Sequence, residues 1–217
     1  GGFMREFDLV VIGAGAAGLS VAAVAAQLGV PVALIERGEM GGDCLNSGCV
    51  PSKALLAAAH HAAAIRAAPR YGMAAGAPNV DFAAVMGHVR RAIAGIAPND
   101  GEARFTALGA TVIRGEARFA GRDTVTVNGE TLKARRIVVA AGARATVPPI
   151  PGLDSVPYLT SETLWRNRTW PRHLIVIGGG PIGLEMAFAH ARLGAEVTVL
   201  EAARLLGQDD PELAEGA

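Results

Sequence analysis

The feature that most constrains the fold is a strand–glycine turn–helix–strand unit that occurs twice in the chain. The first copy has a glycine turn at residues 13–18 and ends in Glu36, and the second has a turn at residues 178–183 and ends in Glu201. In both copies the acid follows the first glycine by 23 residues (36 − 13 and 201 − 178). Strands that alternate with helices at this spacing predict parallel sheets. The sequence therefore predicts an α/β protein.

The glycines of the first copy predict a dinucleotide site. Gly13 permits a tight turn, Gly15 lets the backbone approach a pyrophosphate, and Gly18 lets the helix pack close to the strand. The first N–H groups of the helix would face the phosphates. Glu36 is positioned to accept a hydrogen bond from a ribose hydroxyl. Across both copies the pattern predicts strands at residues 7–12, 32–35, 173–177 and 197–200, and helices at about residues 19–28 and 184–193.

The second copy predicts a second dinucleotide site. Two such sites in one chain indicate that one cofactor passes electrons to the other. A carboxylate at Glu201 would accept a hydrogen bond from a ribose 2′-hydroxyl and repel a 2′-phosphate, which favours NAD(H) over NADP(H). Arg204, three residues further on, weakens this preference.

The only two cysteines of the chain, Cys44 and Cys49, follow the first acid closely. A disulfide needs Cα atoms about 4.4–6.8 Å apart, whereas a regular helix separates residues five apart by about 7.5 Å of rise. Gly48 and Pro51 supply the local distortion that a bridge would need. A loop this small stabilises little, which argues against a purely structural bridge. From the residues alone, core thiols, half of a metal site, a structural bridge and a redox pair all stay open, although nothing completes a zinc site.

Two dinucleotide fingerprints with a C-x4-C pair between them resemble the FAD-dependent pyridine nucleotide–disulfide oxidoreductases, which include lipoamide dehydrogenase, glutathione reductase and mercuric reductase. The segment GGDCLNSGCVPSKAL (residues 41–55) is similar to the redox-active signature of that family, and the resemblance runs from about Met4 to the last residue. It implies that the first fingerprint binds FAD and the second NAD(P)H. Cys44 would then be the thiol that meets the substrate, and Cys49 the thiol beside the flavin.

The resemblance also implies roles for further residues. Lys53 would lie beside flavin N5, where a cation stabilises negative charge on the reduced flavin, and Glu185 would hold it there. Ala117 would touch the adenine through its backbone, and Ala141 stands where the family commonly has threonine. The implied FAD-binding positions are Gly13, Gly15, Ala16, Ala17, Gly18, Glu36, Arg37, Gly41, Gly42, Asp43, Cys44, Gly48, Cys49, Lys53, Ala117, Ala141, Gly142 and Ser161. The implied nicotinamide-cofactor positions are Gly178, Gly180, Pro181, Ile182, Gly183 and Glu201.

The implied architecture is a Rossmann-like FAD-binding domain at residues 4–150, with an inserted helical pair and a β-meander. Residues 151–217 would form a linker and the truncated start of a second Rossmann-like, NAD(P)-binding domain. The sequence between the fingerprints predicts helices at residues 52–68 and 81–108. It also predicts a hairpin turn at Asn128-Gly129 and a buried strand at residues 137–142. Trp165 and Trp170 are interpreted as packing residues.

In the family, the parts that follow include a dimerisation domain whose histidine–glutamate pair acts as acid–base at the partner's interchange thiol. These parts have no counterpart in the 217 residues, so the chain is expected to be about half of a homodimeric enzyme, with weak FAD binding and little turnover alone. The formal net charge of +0 argues against nucleic-acid binding. No apolar run reaches transmembrane length, no signal peptide is recognised, and two cysteines suit a reducing cytoplasm.

The predicted function is electron transfer from NAD(P)H through FAD to a Cys44–Cys49 disulfide and on to a disulfide, dithiol or mercuric-ion substrate. The enzyme would be of the dihydrolipoyl dehydrogenase or mercuric reductase type, without a resident metal. Two alternatives stay open. One is an NADH oxidase-like flavoprotein whose cysteines do not cycle, and the other is a non-catalytic FAD-binding fragment.

Overall fold

The computed structural model describes residues 4–216. This part of the chain contains eight strands and seven α-helices, joined by loops and short 3-10 turns. The strands are β1 (Met4–Ile12), β2 (Val32–Glu36), β3 (Thr111–Arg114), β4 (Arg118–Phe119), β5 (Thr124–Val127), β6 (Glu130–Val139), β7 (His173–Ile177) and β8 (Glu196–Leu200). The helices are α1 (Ala16–Gln27), α2 (Gly42–Asn46), α3 (Cys49–Ala67), α4 (Phe82–Asp100), α5 (Glu102–Ala107), α6 (Pro181–Leu193) and α7 (Pro211–Glu215). Contacts between Cα atoms divide the described chain into two units, residues 4–49 with 93–162 and residues 50–92 with 163–216.

The first unit is built on a six-stranded sheet in the order β3-β2-β1-β6-β5-β4. Strands β3, β2, β1 and β6 are parallel to one another, whereas β5 runs antiparallel to both β6 and β4. Strand β6 pairs with β5 along its first half and with β1 along its whole length. The four parallel strands therefore end at one edge of the sheet, which is where ligands bind in open α/β sheets.

Strand β2 and the last residues of β1 are buried on both faces. Val11 and Leu34 belong to one apolar cluster, which Leu19 of α1 joins, and Val10 and Ile35 belong to a second cluster. Neighbouring residues of a strand point to opposite faces, so the two clusters cover the two sides of the sheet. This explains the continuous apolar sequence at residues 9–12 of β1 and 32–35 of β2, which is typical of central parallel strands.

The predicted α/β class and the predicted hairpin are both confirmed. Asn128 (φ 50°) and Gly129 (φ 81°) both adopt left-handed backbone conformations, as the two-residue turn between β5 and β6 requires. The division into domains at residues 150 and 151 stays a prediction. Trp165 is buried and the Trp170 ring packs edge-on against Phe82 at 5.2 Å, in agreement with their interpretation as packing residues.

The predicted single helix over residues 81–108 is wrong, because the structure breaks it at Gly101. Pro98 lies inside the last turn of α4 and has no N–H to continue the helical hydrogen bonds. Gly101 then takes an extended conformation (φ −79°, ψ 160°) before α5 begins. The buried Phe105 of α5 extends the apolar pattern past the break, which is why the sequence suggested one helix.

The second unit contains the two-stranded parallel sheet β7-β8, with α6 connecting the strands. His190 of α6 is only 1% exposed, its Nδ1 lies 2.8 Å from the Met186 carbonyl oxygen, and its ring packs at 5.9 Å from that of Phe82. Its Nε2 is buried without a hydrogen-bond partner in the described part of the chain. Burial lowers the pKa of His190, with the Met186 carbonyl partly opposing the shift. The imidazole is therefore neutral in the folded protein at neutral pH.

Acid is expected to destabilise the protein through His190. Because its folded pKa lies below the unfolded value of about 6.5, the unfolded chain binds a proton first as the pH falls. The free energy of unfolding should therefore decrease below about pH 6.5, by up to about 1.4 kcal/mol per pH unit, until the folded-state pKa is reached. Urea denaturation at several pH values would measure this slope. His190→Phe should reduce it, whereas His88→Phe, at an exposed position of α4, should leave it unchanged. An equal slope in all three proteins would contradict this account.

Candidate functional site

A cavity of about 780 Å³ lies in the first unit, at the edge where the parallel strands end. Its volume is in the range of about 300–1,000 Å³ that is typical of small-molecule and cofactor sites. Many of the predicted FAD positions line it, namely Gly13, Gly15, Ala16, Ala17, Glu36, Arg37, Gly42, Asp43, Cys44, Ala117, Ala141 and Gly142. The structure thus brings together residues that are more than 100 positions apart in the sequence.

The glycine turn at the cavity tolerates no side chain at two positions. Gly13 has a φ of +103°, and a Cβ atom there would lie 2.1 Å from the Ala140 carbonyl oxygen. A Cβ atom on Gly18 would lie 1.8 Å from the Gly13 carbonyl oxygen. Helix α1 begins at Ala16, three residues before the predicted start at about residue 19, so Gly18 lies in its first turn.

The start of α1 is suited to bind an anion. Its N-cap residue, Gly15, has no side chain to accept hydrogen bonds from the first N–H groups, and no acidic residue lies in the first turn. These N–H groups therefore remain available, and the positive end of the helix dipole points in the same direction. Together with the glycine turn, this arrangement fits a phosphate-bearing dinucleotide such as FAD.

Glu36 is held by the backbone of the turn. Its Oε2 accepts a hydrogen bond from the Ala14 N–H at 2.7 Å, and its Oε1 accepts one from the Gly38 N–H at 2.6 Å. Each carboxylate oxygen can accept a further bond, so a ribose hydroxyl remains a possible partner. Sequence reasoning gave Glu36 only the ribose role and missed that it fixes the glycine turn.

The second copy repeats this arrangement, which makes the equal spacing of 23 residues a structural requirement. Glu201 Oε2 accepts from the Gly179 N–H at 2.7 Å, and Oε1 accepts from the Ala203 N–H at 2.9 Å. These hydrogen bonds, that of Gly179 first, lower the pKa of Glu201. A Cβ atom on Gly183 would lie 2.1 Å from the Gly178 carbonyl oxygen, and α6 begins after Gly180 without a side-chain cap.

The segment that carries Cys44 is docked on the first glycine turn. Gly41 donates its N–H to the Ala14 carbonyl oxygen at 2.9 Å. A Cβ atom on Gly42 would lie 2.5 Å from the Gly15 Cα atom, so the two backbones meet where neither residue has a side chain. These contacts fix the position of Cys44 relative to the dinucleotide turn.

The helix is broken between the two cysteines, as their predicted pairing requires. Cys44 lies in α2, Ser47 ends that helix with φ −142°, and Cys49 begins α3. Both cysteines are thiols, with Cys44 half-buried in the cavity wall and Cys49 exposed. A side-chain hydrogen bond to Cys49 raises the pKa of the Cys44 thiol, and burial raises it further. The two sulfur atoms are therefore close enough to interact.

Lys53 and Glu185 form the predicted contact within the second unit. The Lys53 Nζ atom lies 2.6 Å from Glu185 Oε1, and the two side chains are 61% and 37% exposed. An ion pair this exposed stabilises a protein by only about 0–1 kcal/mol. A contact between residues 132 positions apart that adds so little stability suggests a positional role, and the proximity to a flavin stays a prediction.

Some predicted FAD positions do not line the cavity. Gly18, Gly41, Gly48, Cys49, Lys53 and Ser161 are absent from its wall. Gly18 and Gly41 instead shape the turn, as described above, and a Cβ atom on Gly48 would lie 2.9 Å from the Asp43 carbonyl oxygen. Beside Ser161, Glu162 does line the cavity, and it accepts the Ala145 N–H at 2.9 Å.

Several cavity residues were missed from the sequence. They are Ile12, Ile35, Gly38, Glu39, Asn46, Gly115, Glu116, Ala140, Ala143, Arg144 and Glu162. Gly115 and Glu116 directly follow β3, whose pairing beside β2 brings its end to the cavity edge. A specific prediction of β3 as the fourth parallel strand would have identified them.

Residues 4–216 contain no cluster of three or more His, Cys, Asp or Glu side chains that could hold a metal ion. No helix within these residues is both long and apolar enough to span a membrane.

Comparisons with known proteins agree with this geometry. The family model described as pyridine nucleotide-disulphide oxidoreductase matches residues 7–217. Mercuric reductase from Streptomyces lividans is 38% identical over 220 residues, which are 97% of this chain and 46% of that protein. Mercuric reductase from Bacillus cereus is 40% identical over 211 residues, covering 97% of this chain and 33% of that protein. The chain thus spans less than half the length of these relatives.

The fold is also similar to that of a solved flavoprotein. The Cu(II) complex of the HOCl-induced flavoprotein disulfide reductase RclA from Escherichia coli superimposes with a TM-score of 0.80 at 31% identity, covering 95% of this chain and 45% of that one. The family match extends over both glycine turns and the cysteine pair. The chain therefore belongs to the pyridine nucleotide–disulphide oxidoreductases, a family of flavoproteins whose expected cofactor is FAD.

Proposed function

We propose that the chain is the FAD- and disulfide-bearing part of an enzyme that passes electrons from NAD(P)H through FAD to a Cys44–Cys49 disulfide, and from there to a substrate. The observation that carries the proposal is the position of the cysteine pair: Cys44 lines the cavity of the first glycine turn and hydrogen-bonds to Cys49. FAD, when bound, would supply the ability to accept a hydride and release its electron pair to a disulfide.

The residues of the first unit would bind and orient this cofactor. The N–H groups at the start of α1 would hold the diphosphate, and Gly13 and Gly15 would let it approach the backbone. Glu36 would accept a hydrogen bond from a ribose hydroxyl while it keeps its two hydrogen bonds from the backbone. The cysteine segment, docked on the same turn through Gly42, would then face the bound dinucleotide.

The two cysteines would have different roles in the reaction. Reduction of the disulfide breaks the S–S bond, takes up two electrons and one proton, and yields one thiol and one thiolate. The hydrogen bond to Cys49 and burial both raise the pKa of Cys44, which favours the protonated form of this thiol. The role of Cys49 as the thiol beside the flavin rests on the family resemblance, since Cys44 and not Cys49 lines the cavity. The protonated Cys44 needs a proton acceptor before it can attack a substrate, since the thiolate is the nucleophile.

The substrate class that we propose is a disulfide or a soft metal ion. Thiolates are the ligands that soft metal ions prefer, and the exposed Cys49 and half-buried Cys44 form an accessible dithiol. The relatives named mercuric reductase and the flavoprotein disulfide reductase RclA represent both possibilities. A homodimeric assembly and a cytoplasmic location are part of the same proposal and rest on the family resemblance.

Anaerobic titration of the full-length, FAD-loaded protein with dithionite would test the function. The expected result is that each chain takes up two electrons before the flavin is fully bleached, with a long-wavelength thiolate–flavin band. In Cys49→Ser the two-electron uptake that precedes full bleaching of the flavin, and the long-wavelength band, should both be lost. An unchanged titration in Cys49→Ser would favour an NADH oxidase-like flavoprotein instead, and a colourless protein that binds no flavin would favour a non-catalytic fragment.

We further propose that NAD(H) is the preferred nicotinamide cofactor, because of the charge of Glu201. Its lowered pKa keeps the carboxylate ionised at neutral pH, where it would repel a 2′-phosphate. In the full-length protein, Glu201→Gln should increase kcat/KM for NADPH relative to NADH by about tenfold, which corresponds to about 1.4 kcal/mol. Glu196→Gln, at an exposed position of β8, is the control and should leave this ratio unchanged. A wild-type enzyme that prefers NADPH would contradict the proposal.

A further inference from the structure

The second unit contains three arginines whose charges are not balanced. Arg90 and Arg91 lie on α4, and Arg168 lies in the loop before β7. Among residues 4–216, none of the three takes part in an ion pair. The pKa of Arg90 is lowered by burial and by the like charges of Arg168 and Arg91, and no carboxylate offsets these effects.

Gly87 is the point on which two of these side chains converge. A Cβ atom on Gly87 would lie 3.4 Å from Arg91 Nη1 and 3.8 Å from Arg90 Nη2. Residues three and four positions apart share one face of a helix, so both guanidinium groups turn back over the glycine. Two cations thus lie within 4 Å of a single point on the surface of α4.

Arg90 also has an unused hydrogen-bond donor. Its Nη1 atom is buried and has no acceptor in the part of the chain that the structure describes. A buried donor without a partner destabilises the folded protein, and a charged donor does so more strongly. A bound anion would satisfy this donor and screen the repulsion among the three arginines.

We propose that Arg90 and Arg91 form a binding site for a phosphate group, with the positive charge of Arg168 acting on it from the loop before β7. Guanidinium groups match phosphate oxygens in a bidentate geometry, and each brings several donors in a fixed plane. A doubly charged phosphate neutralises two converging cations better than a single carboxylate does. The site lies on α4 and the loop before β7, and it uses none of the residues assigned to the glycine turns or the cysteine pair.

Binding of inorganic phosphate to the purified chain, followed by NMR of its arginine side chains, would test the site. Phosphate should produce saturable shifts of the Arg90, Arg91 and Arg168 signals, and acetate at equal concentration should bind at least tenfold more weakly. Arg91→Gln should weaken phosphate binding by about tenfold to a hundredfold, since it removes charge-assisted hydrogen bonds. Arg70→Gln, which removes an exposed arginine outside the cluster, should have no effect.

A second variant keeps the test valid if loss of an arginine disturbs folding. Gly87→Glu would place a carboxylate three and four residues before Arg90 and Arg91, a spacing that stabilises helices. This variant should fold at least as stably as the wild type and should no longer bind phosphate. Phenyl phosphate that binds more tightly than inorganic phosphate would indicate a phosphate monoester as the ligand, and the reverse would indicate free phosphate. Acetate binding as tightly as phosphate, no saturable binding, or binding unaffected by both variants would overturn the proposal.

Discussion

Cys49→Ser is expected to reduce NADH-dependent turnover of a disulfide or mercuric-ion substrate by about a thousandfold or more in the full-length protein. A serine hydroxyl forms no disulfide with Cys44. The reduced flavin then has no disulfide to which it can pass its electron pair. Cys44 lines the cavity and hydrogen-bonds to Cys49, so this variant removes the partner with which Cys44 would form the disulfide at the cofactor site. Steady-state kinetics with saturating FAD would measure the loss.

Reduction of an artificial quinone by NADH provides the internal control for this variant. A quinone can take electrons from a reduced flavin without the cysteines, so its reduction should stay within about threefold of the wild-type rate if FAD binding and the fold are intact. Cys44→Ser should show the same pattern, because the pair acts as a unit. Full disulfide or mercuric reductase activity in either variant would show that the cysteines do not cycle.

Gly18→Ala is expected to have the largest effect on FAD binding and on the stability of the first unit. An added Cβ atom would lie 1.8 Å from the Gly13 carbonyl oxygen, so the backbone of the turn or of α1 must move. Overpacking of this kind destabilises by about 3 kcal/mol. The same movement would displace the N–H groups that are positioned for the diphosphate, and FAD should be lost on purification. Denaturant titration and the flavin content of the purified protein would measure the two effects.

Gly95→Ala is the matched control for this substitution. Gly95 lies in α4, within the same unit, and a Cβ atom there would meet nothing within 4 Å. Since alanine is favoured over glycine in a helix, this variant should be more stable by about 0.5–1 kcal/mol and should keep its FAD. Equal effects of the two substitutions would contradict the role assigned to Gly18.

The repeated glycine–acid pattern made most of the fold predictable. Few other residues fit the first glycine turn. Position 13 has a left-handed φ, and position 18 has no room for a Cβ atom. The Asn128-Gly129 turn was predictable for the same reason, since both residues tolerate positive φ. The end of α4 was not, because the apolar pattern continues through Phe105 while Pro98 and Gly101 interrupt the helix.

The candidate site was predictable only in part. Its local contributions, such as Gly15 and Cys44, lie in recognisable motifs, whereas Glu116 and Glu162 reach the cavity through strand pairing and loop contacts that no local pattern encodes. The contact of Lys53 with Glu185 spans 132 positions and came from the family resemblance alone. The backbone hydrogen bonds of Glu36 were missed because carboxylate–backbone contacts leave no periodic signal.

Differential alkylation would test most directly whether Cys44 and Cys49 cycle. The oxidised, FAD-loaded full-length protein is treated with iodoacetamide before and after anaerobic addition of NADH, and the tryptic peptide of residues 38–53 is analysed by mass spectrometry. We predict that neither cysteine is modified before NADH and that one or both are modified after it. Modification to the same extent in both samples would show that electrons from NADH do not reach this pair.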